Sequence, residues 1–149
     1  MDAARYCRLM EGKPLPDLAD HSPFKAMVIS DIPSTPEWRS EVGSWLVAQG
    51  CLYMMAWGHE CEAWHDAVDW AVVGAYGGEI PDEKFVMTTW HEDESLEEVF
   101  WFAKLAAEHP DVVLDQQVIL HVSNADRCNE LVASFESVGV DAQAVSAGP

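Results

Sequence analysis

Fourteen residues, WGHECEAWHDAVDW from Trp57 to Trp70, hold three tryptophans, two histidines, a cysteine and four carboxylates. Imidazole nitrogen and carboxylate oxygen ligate divalent cations, and the same pair performs general acid–base work. A second stretch of this kind, WHEDE, runs from Trp90 to Glu94. Neither is a complete known motif. His59 and Glu60 lack the zinc-protease continuation, which needs a histidine three residues beyond the glutamate, where Ala63 stands. Cys61 and His65 are one helical turn apart, half of a zinc site with no second pair of like spacing. Cys61 with His91 or His121 would form a nucleophile and its base, although buried structural thiols are commoner than reactive ones.

The positions of these residues follow from the elements around them. FKAMVISD, CLYMMAW, KFVMTTW and QQVILHV read as buried strands, each followed by an amphipathic segment. The first helix is expected from a Ser34–Glu37 capping box to Gly50, with Trp38, Val42, Trp45 and Leu46 inward. The second runs from about Glu60 to Ala75 on Trp64, Val68 and Val72. The third is capped by Ser95 and Glu98 and extends toward His109. The fourth spans about Asn124 to Ser137, and the tail VDAQAV alternates weakly enough to add an edge strand. Strand and helix alternating four times predict an α/β fold, a small three-layer Rossmann-like or flavodoxin-like sandwich. Its sheet would be mainly parallel, with four to five strands.

Ligands of open α/β sheets bind beyond the carboxyl ends of the strands. The candidate crevice is therefore Asp31, His59, Glu60, His91, Glu92, Asp93 and Asn124. As a metal centre it would use Asp31, His59, His91 and Asp93 as ligands, with Glu60 or Glu92 as base. Each exit also has a local explanation, since acids in a first turn offset the helix dipole and Ser95 or Asn124 serve as caps. SDIPSTPEW after the first strand carries no glycine-rich phosphate loop. Asp31 resembles a phosphoreceiver aspartate, but the fourth strand exit supplies no lysine to accompany it.

Charge narrows the function classes. Twenty-six acids against eight lysines and arginines give −18, a field that repels nucleic acid and anionic membranes. No stretch approaches a membrane span or a signal peptide, and four cysteines without CxxC spacing suit reduced thiols in a cytoplasm. Residues 1–23 read as an N-terminal arm with at most one short helix, Tyr6, Leu9 and Met10 on one side. Residues 24–149 read as a single α/β domain. From Glu60 to Glu98 there are twelve acids and one base, Lys84. The helix around Trp101 is apolar nearly all round, as at an interface or a doubly buried position.

KFVMTTWHEDESLEEVFWFAK, with the preceding WGHECEAW, resembles a bacterial domain family of unknown function over roughly Phe24 to Ser123. The resemblance implies a bacterial α/β protein and transfers no activity. The two stretches also echo each other, each passing from a strand through Trp into His-Glu and a helix.

Three functions are consistent with these residues. The first is an acidic cytoplasmic binding or regulatory module, of the immunity, antitoxin or defence-associated kind, without catalysis or cofactor. It would dock a basic protein partner through Glu92, Asp93, Glu94, Glu97 and Trp101. The second is a divalent-metal-assisted hydrolase with its site at the strand ends. The third is a homo-oligomer built on the helix of Trp101.

Overall fold

The computed structural model describes residues 4–138. Its sheet holds five strands: β1 (Arg5–Leu9), β2 (Phe24–Ser30), β3 (Cys51–Gly58), β4 (Met87–Trp90) and β5 (Gln116–Val122). The helices are α1 (Pro36–Gln49), α2 (Cys61–Tyr76), α3 (Leu96–Leu105) and α4 (Cys128–Ser137). The strand order is β1-β5-β2-β3-β4, and every neighbouring pair is parallel. The expected small α/β fold is the one observed.

Period-two alternation along β2 supplies two cores. Phe24, Ala26 and Val28 join Trp38, Val42 and Leu46 of α1 and Trp64, Val68 and Val72 of α2. Met27 and Ile29 meet Val99, Phe100 and Ala103 of α3 and Leu131 and Phe135 of α4 on the other face. Trp38 and Trp64 pack edge to face, with ring centroids 5.6 Å apart. The crossing of α1 and α2 depends on Gly43, where a Cβ would lie 2.8 Å from the Ala67 carbonyl oxygen.

Two scarce lysines serve the helix ends. Lys25, 5% exposed, donates to the Ala103 carbonyl at 2.7 Å. Gln117 donates to the same oxygen at 3.1 Å. Lys104 donates to the Phe135 and Val138 carbonyls at 2.8 and 2.6 Å. Both ammonium groups thus meet carbonyls that the last helical turn leaves without intrahelical donors.

Several local expectations are corrected. The arm's short helix is instead the edge strand β1, in register with β5 from Arg5 opposite Val118 to Leu9 opposite Val122. Cys7 and Leu9 point inward between exposed Arg5 and Arg8, a period of two that the Tyr6, Leu9 and Met10 stripe concealed. The cap of α1 is Thr35, whose side chain accepts from the Trp38 amide, because Pro36 occupies the first helical position. Asn124 caps nothing, since α4 begins at Cys128, whose amide donates to Asp126. The third helix stops at Leu105, short of His109. The suggested tail strand lies outside the described residues.

Candidate functional site

From β2 the chain moves one way across the sheet, through α1 to β3 and α2 to β4. α3 then carries it back to β5 on the opposite side of β2. The crevice between the carboxyl ends of β2 and β5 is the topological switch point. Asp31 follows β2 there, and His121 is the second-last residue of β5.

His121 is fully buried and bonded at both ring nitrogens. Nε2 lies 2.6 Å from Asp31 Oδ2, and Nδ1 lies 2.6 Å from the Tyr6 hydroxyl. The Tyr6 oxygen accepts from the Arg127 amide at 3.2 Å. One proton assignment satisfies the chain: Arg127 N–H to Tyr6, Tyr6 O–H to Nδ1, Nε2–H to Asp31. Burial raises the Tyr6 pKa, against the lowering effect of the Arg127 amide, which keeps the hydroxyl a donor. The Asp31 side chain remains 30% exposed at the mouth of the crevice. Asn124 is exposed on the loop leaving β5.

The remaining expected residues gather at the exits of β3 and β4. Gly58, at φ +97°, leaves no room for a Cβ beside the Ser30 carbonyl, and the His59 amide donates to that oxygen at 2.8 Å. Glu60 adopts the left-handed conformation at φ 58°, and its carboxylate accepts from Arg39 at 3.3 Å and the Ser34 amide at 3.2 Å. The His59 side chain is half exposed, 3.8 Å from Glu60.

In the turn after β4, His91 is 7% exposed and held between Glu94, at 3.1 Å from Nδ1, and the Thr89 hydroxyl, at 2.8 Å from Nε2. Asp93 is left-handed at φ 61°. Trp57 Nε1 donates to the Glu94 carbonyl at 2.7 Å, and the His91 amide to the Ala56 carbonyl at 2.9 Å, so the two turns are tied together.

Between these turns lies a groove of about 520 Å³, lined by Trp57 and Gly58, by Glu60 to Ala63 and by His91 to Glu94. Five of its lining residues are carboxylates: Glu60, Glu62, Glu92, Asp93 and Glu94. None is a lysine or arginine. Glu92, Asp93 and Glu97 are exposed, as is Trp101 at 45%. Cys61, 4% exposed, also lines the groove. Burial and then the nearby Glu92 charge push its thiol upward, which works against a nucleophilic role.

The seven expected crevice residues therefore divide, with Asp31 and Asn124 at the β2–β5 exits and the other five at the β3–β4 exits. Asp31, His59, His91 and Asp93 form no common ligand set. Among the described residues, the cluster with metal-like proximity is His65, Asp66 and Asp69 on α2. Those side chains already engage one another, His65 lying 3.0 Å from Asp66 and 3.4 Å from Asp69. Asp69 also accepts from Thr88 at 2.6 Å, and the His65 ring packs 4.5 Å from Trp90. This set ties α2 to the sheet edge.

Sequence reasoning missed Tyr6 as a site residue and offered His121 only as a base for Cys61, not as the partner of Asp31. A lone histidine in the apolar run VILHV was the available sign for His121. Tyr6 gave none, because its partner lies in the last strand.

Residues 4–138 match the model of a family described as a domain of unknown function, DUF7684. No curated protein and no solved structure matches the chain. No helix among the described residues is long and apolar enough to cross a membrane.

Proposed function

The chain belongs to the DUF7684 family, whose description assigns no activity, and we propose that it works as an acidic, non-catalytic binding module. It docks a basic segment of a protein partner in the groove between the β3 and β4 exits, acting in the cytoplasm as an immunity, antitoxin or defence-associated regulator. The supporting observation is the groove's lining, five carboxylates with no lysine or arginine on turns held together by Trp57 and His91. A preformed anionic surface captures a cationic partner with little reordering, and the field of −18 accelerates encounter.

Capture from extracts of the native host at low salt tests this reading. A stoichiometric, basic partner is expected with the wild-type chain and not with Glu92→Lys/Asp93→Lys/Glu94→Lys/Glu97→Lys. Failure to recover such a partner overturns it.

The hydrolase alternative has one observation in its favour. Asp31 presents its carboxylate at the switch point while His121 and Tyr6 stand behind it as an acid–base relay. It requires tight metal uptake at Asp31. Metal analysis of untreated protein should then find stoichiometric manganese or zinc, reduced in Asp31→Ala/His91→Ala, and protein isolated without metal rules it out.

A further inference from the structure

Beyond the Gly43–Ala67 contact, toward both helix C-termini, a cleft of about 1000 Å³ opens between α1 and α2. Where the two helices face each other its lining includes small residues, Ser44 and Ala48 of α1 and Ala71, Gly74 and Ala75 of α2, alongside larger ones such as Val47 and Tyr76. A Cβ added at Gly74 would meet nothing within 4 Å. At the lip of the same cleft stands Trp70, 74% exposed. Val73 and Phe85, each more than two-fifths exposed, lie one residue from lining positions. An indole carries roughly 150–250 Å² of surface that gains from burial.

We propose that this face is a docking surface for a second copy of the chain, with Trp70 of each copy seated in the other's cleft about a two-fold axis. An isologous interface must contain a projection and its recess on one patch, because each copy presents the same residues to the other. Trp70 and the Gly74 cleft meet that condition.

Charge selects the occupant. Two chains of −18 repel over most of their surfaces, so self-association requires a locally neutral face. The charged residues lining this cleft are Glu83 and Lys84, one of each sign. Neither makes an ion pair among the described residues. A two-fold lets Lys84 of one copy meet Glu83 of the other, twice. A strongly basic partner would find little to hold it here, in contrast to the acidic groove at the carboxyl ends of β3 and β4.

Sedimentation velocity over about a hundredfold range of concentration tests the proposal. A reversible monomer–dimer equilibrium is expected, strengthened by moderate salt as the net charges are screened. Trp70→Ala removes the projection, and Gly74→Leu fills the recess. Each should raise the dimer dissociation constant more than about tenfold. Both sites face solvent or open space, so both variants should fold, which thermal melts check.

Mixing the two variants is the decisive arm. A Trp70→Ala chain keeps its recess and a Gly74→Leu chain keeps its indole, so a mixed dimer regains one of the two insertions and should partly recover. A wild-type chain that stays monomeric throughout overturns the proposal. So do a dimer that survives both substitutions, one that fails to recover on mixing, and one dissociated by Trp101→Ala instead.

Discussion

Glu60 and Asp93 hold left-handed backbone without being glycine, at a cost of about 1 kcal/mol each, and both line the acidic groove. Strain retained at two facing turns is consistent with side chains kept for binding. Asp93→Gly should therefore raise unfolding stability by about 0.5–1 kcal/mol in urea titrations while weakening capture of a basic partner. An unchanged or lowered urea midpoint would show that the turn carries no such strain. At the other crevice, Tyr6→Phe removes the donor to a fully buried imidazole nitrogen and the acceptor of the Arg127 amide. A loss of about 1–3 kcal/mol is expected in the same measurement, and a neutral result would mean that water replaces the hydroxyl. Cys51 gives a pH dependence. Burial pushes its thiol up to about 12 from 9.0, so the unfolded chain releases this proton at lower pH than the folded one. The associated stability is intact below about pH 9 and is lost as pH rises from there toward 12. The urea midpoint should fall between about pH 8 and pH 10, and fall less in Cys51→Ala. Equal falls in the two proteins would remove Cys51 as the cause.

α1 and α2 approach closely at Gly43, and Gly43→Ala should cost about 1–3 kcal/mol despite alanine's higher helix propensity, because the new methyl meets backbone at Ala67. Thermal unfolding checks this, and an unchanged melting temperature would mean that the helices separate freely. Legibility at this scale followed the range of the interactions. α3 was readable at its start because the Ser95 and Glu98 capping box is local, and both reciprocal bonds are present. Its end was not, since Lys25 and Gln117 reach Ala103 from strands distant in the chain. Pro36 at the first helical position moves the cap one residue on from Ser34 to Thr35. β1 is not legible in its own segment, where at most a short helix is expected, because an edge strand with a single partner shows itself only through that pairing, here with residues 118–122. The same distance explains the candidate site. Strand-exit rules located Asp31, His59 and His91, but the order β1-β5-β2-β3-β4 decided which of them share a crevice. Strand order is set by packing of whole faces, and no single segment records it.

The whole molecule carries −18 on a fold whose bases are partly committed inward, Lys25 and Lys104 to helix ends and Arg39 to Ser34 and Glu60. The groove carboxylates have Arg39, His59 and His91 as their side-chain partners among the described residues. The two proposed kinds of association should then respond oppositely to ionic strength. Docking of a basic partner weakens as salt screens attraction, whereas pairing of two copies strengthens as salt screens repulsion. The proposed docking holds cationic segments at the β3–β4 groove and not on the acidic surface at large. Its most direct test is amide chemical-shift mapping of the labelled chain with an arginine-rich peptide as probe, repeated on Glu92→Lys/Asp93→Lys. Saturable shifts concentrated at residues 57–63 and 91–94, abolished in the variant, are the expected result. Shifts scattered over the acidic surface and unaffected by the substitutions would contradict it.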